Sequence, residues 1–347
     1  MNHITISDVA RKAGVSESTV SRVLNGTARV AELKRRAVEQ AIEALGFQPN
    51  AFARGLATGR SRAVGVVTQA IDSPFYGEGM RGIERTLHDN GYTPIFMSGH
   101  WNSDDEERCI RELIQRRVDG LILFAGRLGA GRIAEFASQL PIVVTGRTVE
   151  APGVYSLAVD DVEGAQLATR HLIELGHRRI AFIGGPRDHP DALARFNGFR
   201  AALDAAGLDC PARLVVPGNF TEDGGRQAGE RLLALGEPFT AVVCANDQTA
   251  FGLQLALYRQ GLKVPEQVSV VGFDDVAAAA FFIPPLTTVR QPVDQMGECA
   301  AQALLLMIEG GTPRLAAPGV HLVVRESTRA LPAAAARVVA RRAGRAA

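Results

Sequence analysis

At 347 residues and 46% hydrophobic, the chain is too long and too apolar for disorder and long enough for two or three cores. Its start, MNHITISDVARKAG, carries charged and polar residues where a secretion signal needs an apolar run, and no later stretch approaches the ~20 apolar residues of a membrane span; both point to the cytoplasm and to no membrane partner. The net charge of +1 hides an asymmetry, because residues 1–62 hold ten Lys and Arg against five acids while the remainder carries a net −4, so a polyanion partner is expected for the basic head alone.

Three short helices are predicted first. One runs from about Ile6 to Ala13, capped by Thr5 or Ser7 and followed by Gly14, where a turn needs a residue free to adopt positive φ. A second, from about Ser16 to Asn25, places Val15, Val20, Val23 and Leu24 on one apolar face. The third, about Glu32 to Leu45, carries Leu33, Ala37, Val38, Ala41, Ile42 and Leu45 and stops at Gly46. After Pro49 and Asn50 comes AFARGLATGRS, which has helical potential but too few apolar residues for a core and reads as a hinge. From Ala63 the texture changes to apolar strand-like runs alternating with amphipathic helices: AVGVVTQ, MRGIERTLHDNG, TPIFMS, EERCIRELIQRRV, DGLILFAG and PIVVTG. This alternation, the mark of a parallel α/β sheet, then repeats from VDDVEGAQLATRHLIELG through VSVVGFDD. Two doubly wound lobes in tandem leave a cleft at the carboxyl ends of their strands, the usual ligand position. The last segment, ALPAAAARVVARRAGRAA, has no acid and no leucine heptad and reads as disordered. Cys109, Cys210, Cys244 and Cys299 share no ligand spacing, so buried free thiols are expected rather than disulfides or a metal site.

Along TISDVARKAGVSESTVSRVLNGTARV the sequence resembles the N-terminus of the LacI/GalR family of bacterial transcriptional regulators, in a long gap-free match over Ala13-Gly14-Val15-Ser16 and Thr19-Val20-Ser21-Arg22-Val23-Leu24-Asn25. A helix fits the ~12 Å major groove with its N-terminal residues at the base edges. Periodicity turns Glu17, Ser18 and Arg22 outward, and the resemblance implies that these three read sequence while Thr5, Ser16, Thr19, Ser21 and Asn25 hold phosphates or register. Arg22 can bond both acceptors of a guanine; Glu17 needs a cytosine amino group to offset phosphate repulsion. Ser16 also serves as a helix cap, and Ala31 stands where the family has a Ser or Thr cap. The hinge PNAFARGLATGRS resembles the family's Pro-Asn-x-x-Ala-x-x-Leu segment, which implies DNA contact by Asn50 and Ala53 and a minor-groove wedge at Leu56.

The same resemblance covers residues 63 to about 330, through RRVDGLI, HLIELGHRRIAFIGGP, ARFNGF, ANDQTAFG, VSVVGFDD and PPLTTVRQP. It implies a small all-α helix-turn-helix head (1–46), a hinge (47–62) and a periplasmic-binding-protein-like α/β body (63–330). Lobe 1 spans about 63–160 and 291–320, lobe 2 about 161–290 and 321–330, and 331–347 forms the tail. In sugar-binding members the residues matching Arg195, Asn246 and Asp274 bond hydroxyls and an aromatic matching Phe220 stacks on the ring. Asp247 either touches ligand or caps the following helix, Phe75 and Tyr76 sit at the mouth of the first βα turn, where ligand contact or simple packing would each explain them, and Arg147 joins Arg195 and Asp274 if the effector is a sugar acid or phosphate. The implied protein is a homodimeric regulator, a repressor of double-stranded operator DNA, with a sugar-like effector; a purine-like or acidic-sugar effector is the alternative. No cofactor, metal or catalytic residue is expected. Gly77, Gly79 and Gly82 spell GxGxxG, but Asp72-Ser73-Pro74-Phe75-Tyr76 separate them from the strand, which speaks against a nucleotide-dependent enzyme. A sugar-binding transport protein would need export and no DNA-reading head.

Overall fold

The computed structural model describes residues 4–25, 30–47 and 60–331, so the hinge residues Asn50, Ala53 and Leu56 and the tail beyond Leu331 lie outside the described residues. Two compact units result, one up to Ala63 with Ile114–Asp119 and one comprising the rest.

In the head, α1 (Ile6–Ala13), α2 (Glu17–Asn25) and α3 (Glu32–Leu45) close over Val9, Ala10, Val20, Val38 and Ala41. Thr5 is the α1 cap in a reciprocal box with Asp8, a pattern that satisfies two free backbone donors. Gly14 and Gly46 end α1 and α3 at φ +65° and +62°, which a residue without Cβ adopts at no steric cost. The expected place of Leu33 in the core is wrong: it is 84% exposed. Five residues of helix turn it about 140° from Val38, onto the outer face. Ala31 makes no side-chain cap, and Glu32 at the helix start pairs with Arg35 and Arg36 instead. Where the chain leaves this segment, Ser61 and Arg62 donate backbone N–H to the two oxygens of Asp119, each at 2.8 Å.

The body begins with β1 (Ala63–Thr68), α4 (Pro74–Asp89), β2 (Thr93–Ser98), α5 (Ser103–Gln115), β3 (Gly120–Phe124), α6 (Ala130–Ala137), β4 (Ile142–Thr145) and β5 (Val154–Leu157). Their sheet has the order β2-β1-β3-β4-β5, and its strands read as continuous apolar runs because helices cover both faces. The second sheet follows from α7 (Asp161–Glu174), β6 (Ile180–Ile183), α8 (Pro190–Ala205), β7 (Val215–Val216), α9 (Glu222–Ala234), β8 (Ala241–Cys244), α10 (Asp247–Arg259), β9 (Ser269–Asp274), β10 (Thr287–Arg290), α11 (Val293–Ile308) and β11 (His321–Val323). Its order is β11-β10-β9-β8-β6-β7. The parallel pattern expected from the sequence holds except at the edge, where β11 runs antiparallel to β10. The chain passes between the sheets three times, after β5, after β10 and before β11, since α11 packs on α4 beside the first sheet while β10 and β11 belong to the second.

The GxGxxG glycines lie inside α4. A Cβ on Gly82 would stand 2.1 Å from the Asp294 carbonyl, and one on Gly79 would stand 2.2 Å from the Phe124 ring, so these two serve close packing on α11 and β3. All four cysteines are free, but only Cys109 and Cys244 are buried; Cys210 and Cys299 are half-exposed, a correction to the expectation for those two.

Candidate functional site

The head offers its α2 face. Ser16, Glu17, Ser18 and Arg22 are exposed, and Thr19 and Ser21 are half-buried. Ser16 Oγ accepts from the Thr19 N–H at 3.3 Å and stands 2.9 Å from Ser18 Oγ, so it starts the helix whatever else it meets. Thr5 likewise donates its hydroxyl to Asp8 at 2.7 Å. Glu17 accepts from the Ser7 hydroxyl at 2.5 Å, tying its carboxylate to α1. Among the described residues Arg22 enters no ion pair. The Asn25 side chain, with Asn50, Ala53 and Leu56, lies outside the described residues.

In the body, the carboxyl ends of the strands of both sheets converge on a cavity of about 390 Å³, the position that open α/β sheets favour for ligands. Phe75, Tyr76 and Trp101 come from the first lobe; His189, Asp191, Arg195, Phe220, Asn246 and Asp274 come from the second. A small adjoining cavity of about 40 Å³ is lined by Phe75, Tyr76, Asp161, Asp191 and Gln291 among others.

Arg195, 5% exposed, is the hub. Nε donates to Asp161 at 2.7 Å, Nη1 donates to the Ala245 carbonyl at 2.6 Å and lies 3.6 Å from Asp274, and the guanidinium sits 4.0 Å over the Phe273 ring. Nη2 has no partner among the described residues. Burial works against its charge, but Asp161, Asp274 and Asp191 together outweigh that and raise its pKa. The carboxylates respond in the opposite sense. Burial pushes Asp274 up to about 7 against the pull of Arg195 and of the Gln291 amide, which donates at 2.8 Å. Burial also raises Asp161 and Asp191. His189, enclosed and beside Arg195 and Arg127, is pushed down to about 4 and is neutral at physiological pH.

Several wall residues stand at strained backbone. Trp101, Phe220 and Asp274 have φ of 56°, 67° and 112°, conformations that cost non-glycine residues of order 1–3 kcal/mol and persist only where the surroundings enforce them. Buried amides do so here. Gln69 at the end of β1 accepts from the Trp101 N–H at 2.8 Å and donates to the Ala125 carbonyl at 3.3 Å. Asn246 donates to the Phe220 carbonyl at 3.0 Å while capping α10 through Thr249. The Phe220 ring lies against Gly185, where a Cβ would come within 2.3 Å of it.

Phe75, Arg195, Phe220, Asn246 and Asp274 therefore meet around one cavity, although the amide of Asn246 is engaged within the protein. Asp247 and Arg147 do not join them. Asp247 is fully buried, accepting from the Thr288 hydroxyl at 2.5 Å and the Val276 N–H at 2.9 Å; it braces β9 and β10 and neither faces the cavity nor caps α10. Arg147 turns its guanidinium to the Leu128 carbonyl at 2.5 Å. Sequence reasoning passed over Trp101, His189, Asp161 and Asp191. The dipeptide His-Pro with Asp two places past the His, at the mouth of a βα turn, was the available signal for His189 and Asp191; Trp101, the only tryptophan, carried none.

A helix-turn-helix head followed by a two-sheet body of the periplasmic-binding-protein type defines a DNA-binding regulator of transcription. Residues 5–50 match the model described as bacterial regulatory proteins, lacI family, and residues 169–328 match the periplasmic binding protein-like domain. The chain belongs to the LacI family. It is 40% identical over 304 residues to the ribose operon repressor of Escherichia coli strain K12, covering 87% of this chain and 92% of that one. Among solved structures it is similar to the lac repressor dimer bound to operator and the anti-inducer ONPF, with a TM-score of 0.86 and 29% identity over 95% of this chain and all of that one. It is also similar to the transcriptional regulator CelR in complex with cellobiose, with a TM-score of 0.70 and 35% identity over 93% and 99% of the two chains. The protein is thus a transcriptional repressor of this family and not an enzyme. Among the described residues no helix is long and apolar enough to cross a membrane.

Proposed function

We propose that the chain acts in the cytoplasm as a homodimer on a palindromic operator, and that a neutral sugar or sugar derivative in the cavity between the lobes sets its DNA affinity. The observation that carries the effector class is the balance of the wall. Aromatic faces from Phe75, Trp101 and Phe220 stand beside carboxylates at Asp191 and Asp274, while Arg195 and Arg127 are already paired with Asp161 and Asp188. Aromatic faces cover the apolar side of a sugar ring and carboxylates accept from its hydroxyls. An acidic sugar or phosphate finds more negative than uncompensated positive charge there. The solved complex of the similar regulator CelR with cellobiose agrees with this class.

Support for the dimer comes from lobe 2, where Leu255, Tyr258 and Ile283, the last 92% exposed, adjoin Phe251 and Phe282 around a surface cavity of about 500 Å³. A contiguous apolar patch of this kind marks an association surface. A thermal-shift screen of neutral sugars, sugar acids and purines, followed by footprinting with and without the hit, tests the reading. Two inverted half-sites and a hit among neutral sugars that moves operator affinity by the 1–3 kcal/mol usual for such coupling are expected. Protection of a single asymmetric site, or stabilisation by purines or acids alone, overturns it.

A further inference from the structure

At the start of α8, two cavity-wall side chains have hydrogen-bonding capacity that the described residues do not meet, beside the open Nη2 of Arg195 and the unpaired Nε of Arg127. His189 is 3% exposed, and its ring is held edge-on between Trp101, at 4.2 Å, and Phe220, at 5.0 Å. Its Nδ1 accepts from the Asp191 N–H at 3.2 Å. In a neutral imidazole the nitrogen that accepts is bare and the other carries the proton, so Nε2 is a donor. That Nε2 is buried without a partner. Two residues on, the Asp191 carboxylate borders both cavities and accepts no hydrogen bond from the described residues, its nearest cationic influences being Arg195 and Arg147.

The buried donor left open costs the protein a desolvation penalty until a ligand meets it, and the half-buried Asp191 carboxylate beside it is an acceptor open to the same ligand. The ligand's chemistry follows from which groups satisfy both. A carboxylate or phosphate oxygen accepts from His189 but meets the negative charge of Asp191. An ammonium donates to Asp191 but offers His189 nothing. Neighbouring hydroxyls of an uncharged polyol do both at once, because each hydroxyl is donor and acceptor.

We propose that His189 Nε2–H and the Asp191 carboxylate form a donor–acceptor pair that selects neutral polyols over their acid and amine counterparts, with Trp101 from the opposite lobe holding the imidazole in place. This rests on the reading of the cavity as a sugar site and assigns its specificity to two residues. His189 stays uncharged in this setting, because burial and the nearby arginines hold its pKa near 4, so the donor persists across the physiological range.

The test is isothermal titration of the full-length protein with D-ribose, D-glucose, D-galactose and cellobiose, together with D-glucuronate, D-galacturonate, D-glucosamine and D-galactosamine. The parent, His189→Phe, His189→Gln and Asp191→Asn are compared, with thermal unfolding reporting that each is folded. His189→Phe keeps the ring between Trp101 and Phe220 but removes the donor; it should weaken the bound neutral sugar about tenfold or more, as expected where a site built for a polar group loses its match. His189→Gln returns an N–H at similar reach and should recover most of that loss. Asp191→Asn should weaken the same sugar and narrow the discrimination against uronates. If a neutral sugar binds the parent and both His189→Phe and Asp191→Asn with equal affinity, the pair assignment is wrong while the sugar reading stands. If no neutral sugar binds the parent, the sugar reading itself fails and the pair falls with it.

Discussion

Replacing Arg195 by Met tests whether the cavity wall is held together by charge. The guanidinium is the shared partner of Asp161 and Asp274, donates to the Ala245 carbonyl, and is nearly inaccessible to water. Removing one member of a buried pair costs roughly 3–5 kcal/mol because the other charge is left uncompensated. A methionine of similar length retains much of the packing on Phe273, so ~4 kcal/mol is a fair total. For a body of this size each kcal/mol moves the midpoint by about 2–4 °C, which predicts a fall of roughly 8–15 °C at pH 8. The pH dependence gives the argument its sign. Asp274, at about 7, and Asp161 already have folded-state pKa values above the ordinary carboxylate value, and losing Arg195 raises them further. Groups raised on folding stabilise when protonated and lose that contribution as pH rises through the folded pKa. The deficit of the variant should therefore shrink as the pH is lowered from 8 through 7 to 5.5. Scanning calorimetry of parent and variant at both ends decides it: a loss under about 3 °C at pH 8, or a deficit that grows on acidification, refutes the reasoning.

Asp274→Asn should be more stable than the parent at pH 8 by ~2 kcal/mol, because it removes a carboxylate whose ionisation the fold disfavours, and the advantage should fade toward pH 5; urea unfolding at the two pH values measures it. Gly252→Ala should lose roughly 2–3 kcal/mol or fail to accumulate, since its Cβ would lie 1.9 Å from the Glu222 carbonyl where α9 and α10 touch, an overpacking that only backbone movement relieves. Arg22→Ala should weaken operator binding by roughly 1–3 kcal/mol and relax base preference at one position per half-site; unchanged affinity for both operator and random DNA in fluorescence anisotropy would exclude α2 as the reading helix.

The head and the βα alternation were readable because both rest on local periodicity. Thr5, Gly14, Val20, Val38 and Gly46 do in the structure what their spacing foretells. Leu33 misled because residue type outweighed angle: it is apolar yet sits on the wrong side of its turn. Arg195, Phe220, Asn246 and Asp274 were assigned by likeness and Phe75 by its place at the first βα turn, and all five border the cavity. What likeness could not reveal is where hydrogen-bonding capacity is used up. Asp247 is absorbed by Val276 and Thr288 and the Asn246 amide by Phe220, through contacts between segments distant in the chain, while the same amide also caps α10 locally through Thr249. The open groups at His189 and Asp191 are visible only by subtraction, once every other partner has been placed.

The three passages of chain between the sheets have a mechanical meaning. Val159 on the first and Gln291 and Pro292 on the second border the same small cavity. The third is fastened to β5, where the Tyr155 hydroxyl donates to the Leu315 carbonyl and accepts from the Leu315 N–H, at 2.5 and 2.7 Å. Two rigid bodies joined by one tether can swivel in any direction, whereas three tethers side by side act like the leaves of a door hinge, resisting twist and shear and leaving bending as the soft motion. Any molecule that fills the cleft thus works against a single stiffness. Severing the segment 309–320 would leave both sheets intact while giving the door a wobble, so that occupancy of the cleft would no longer set one defined angle between the lobes.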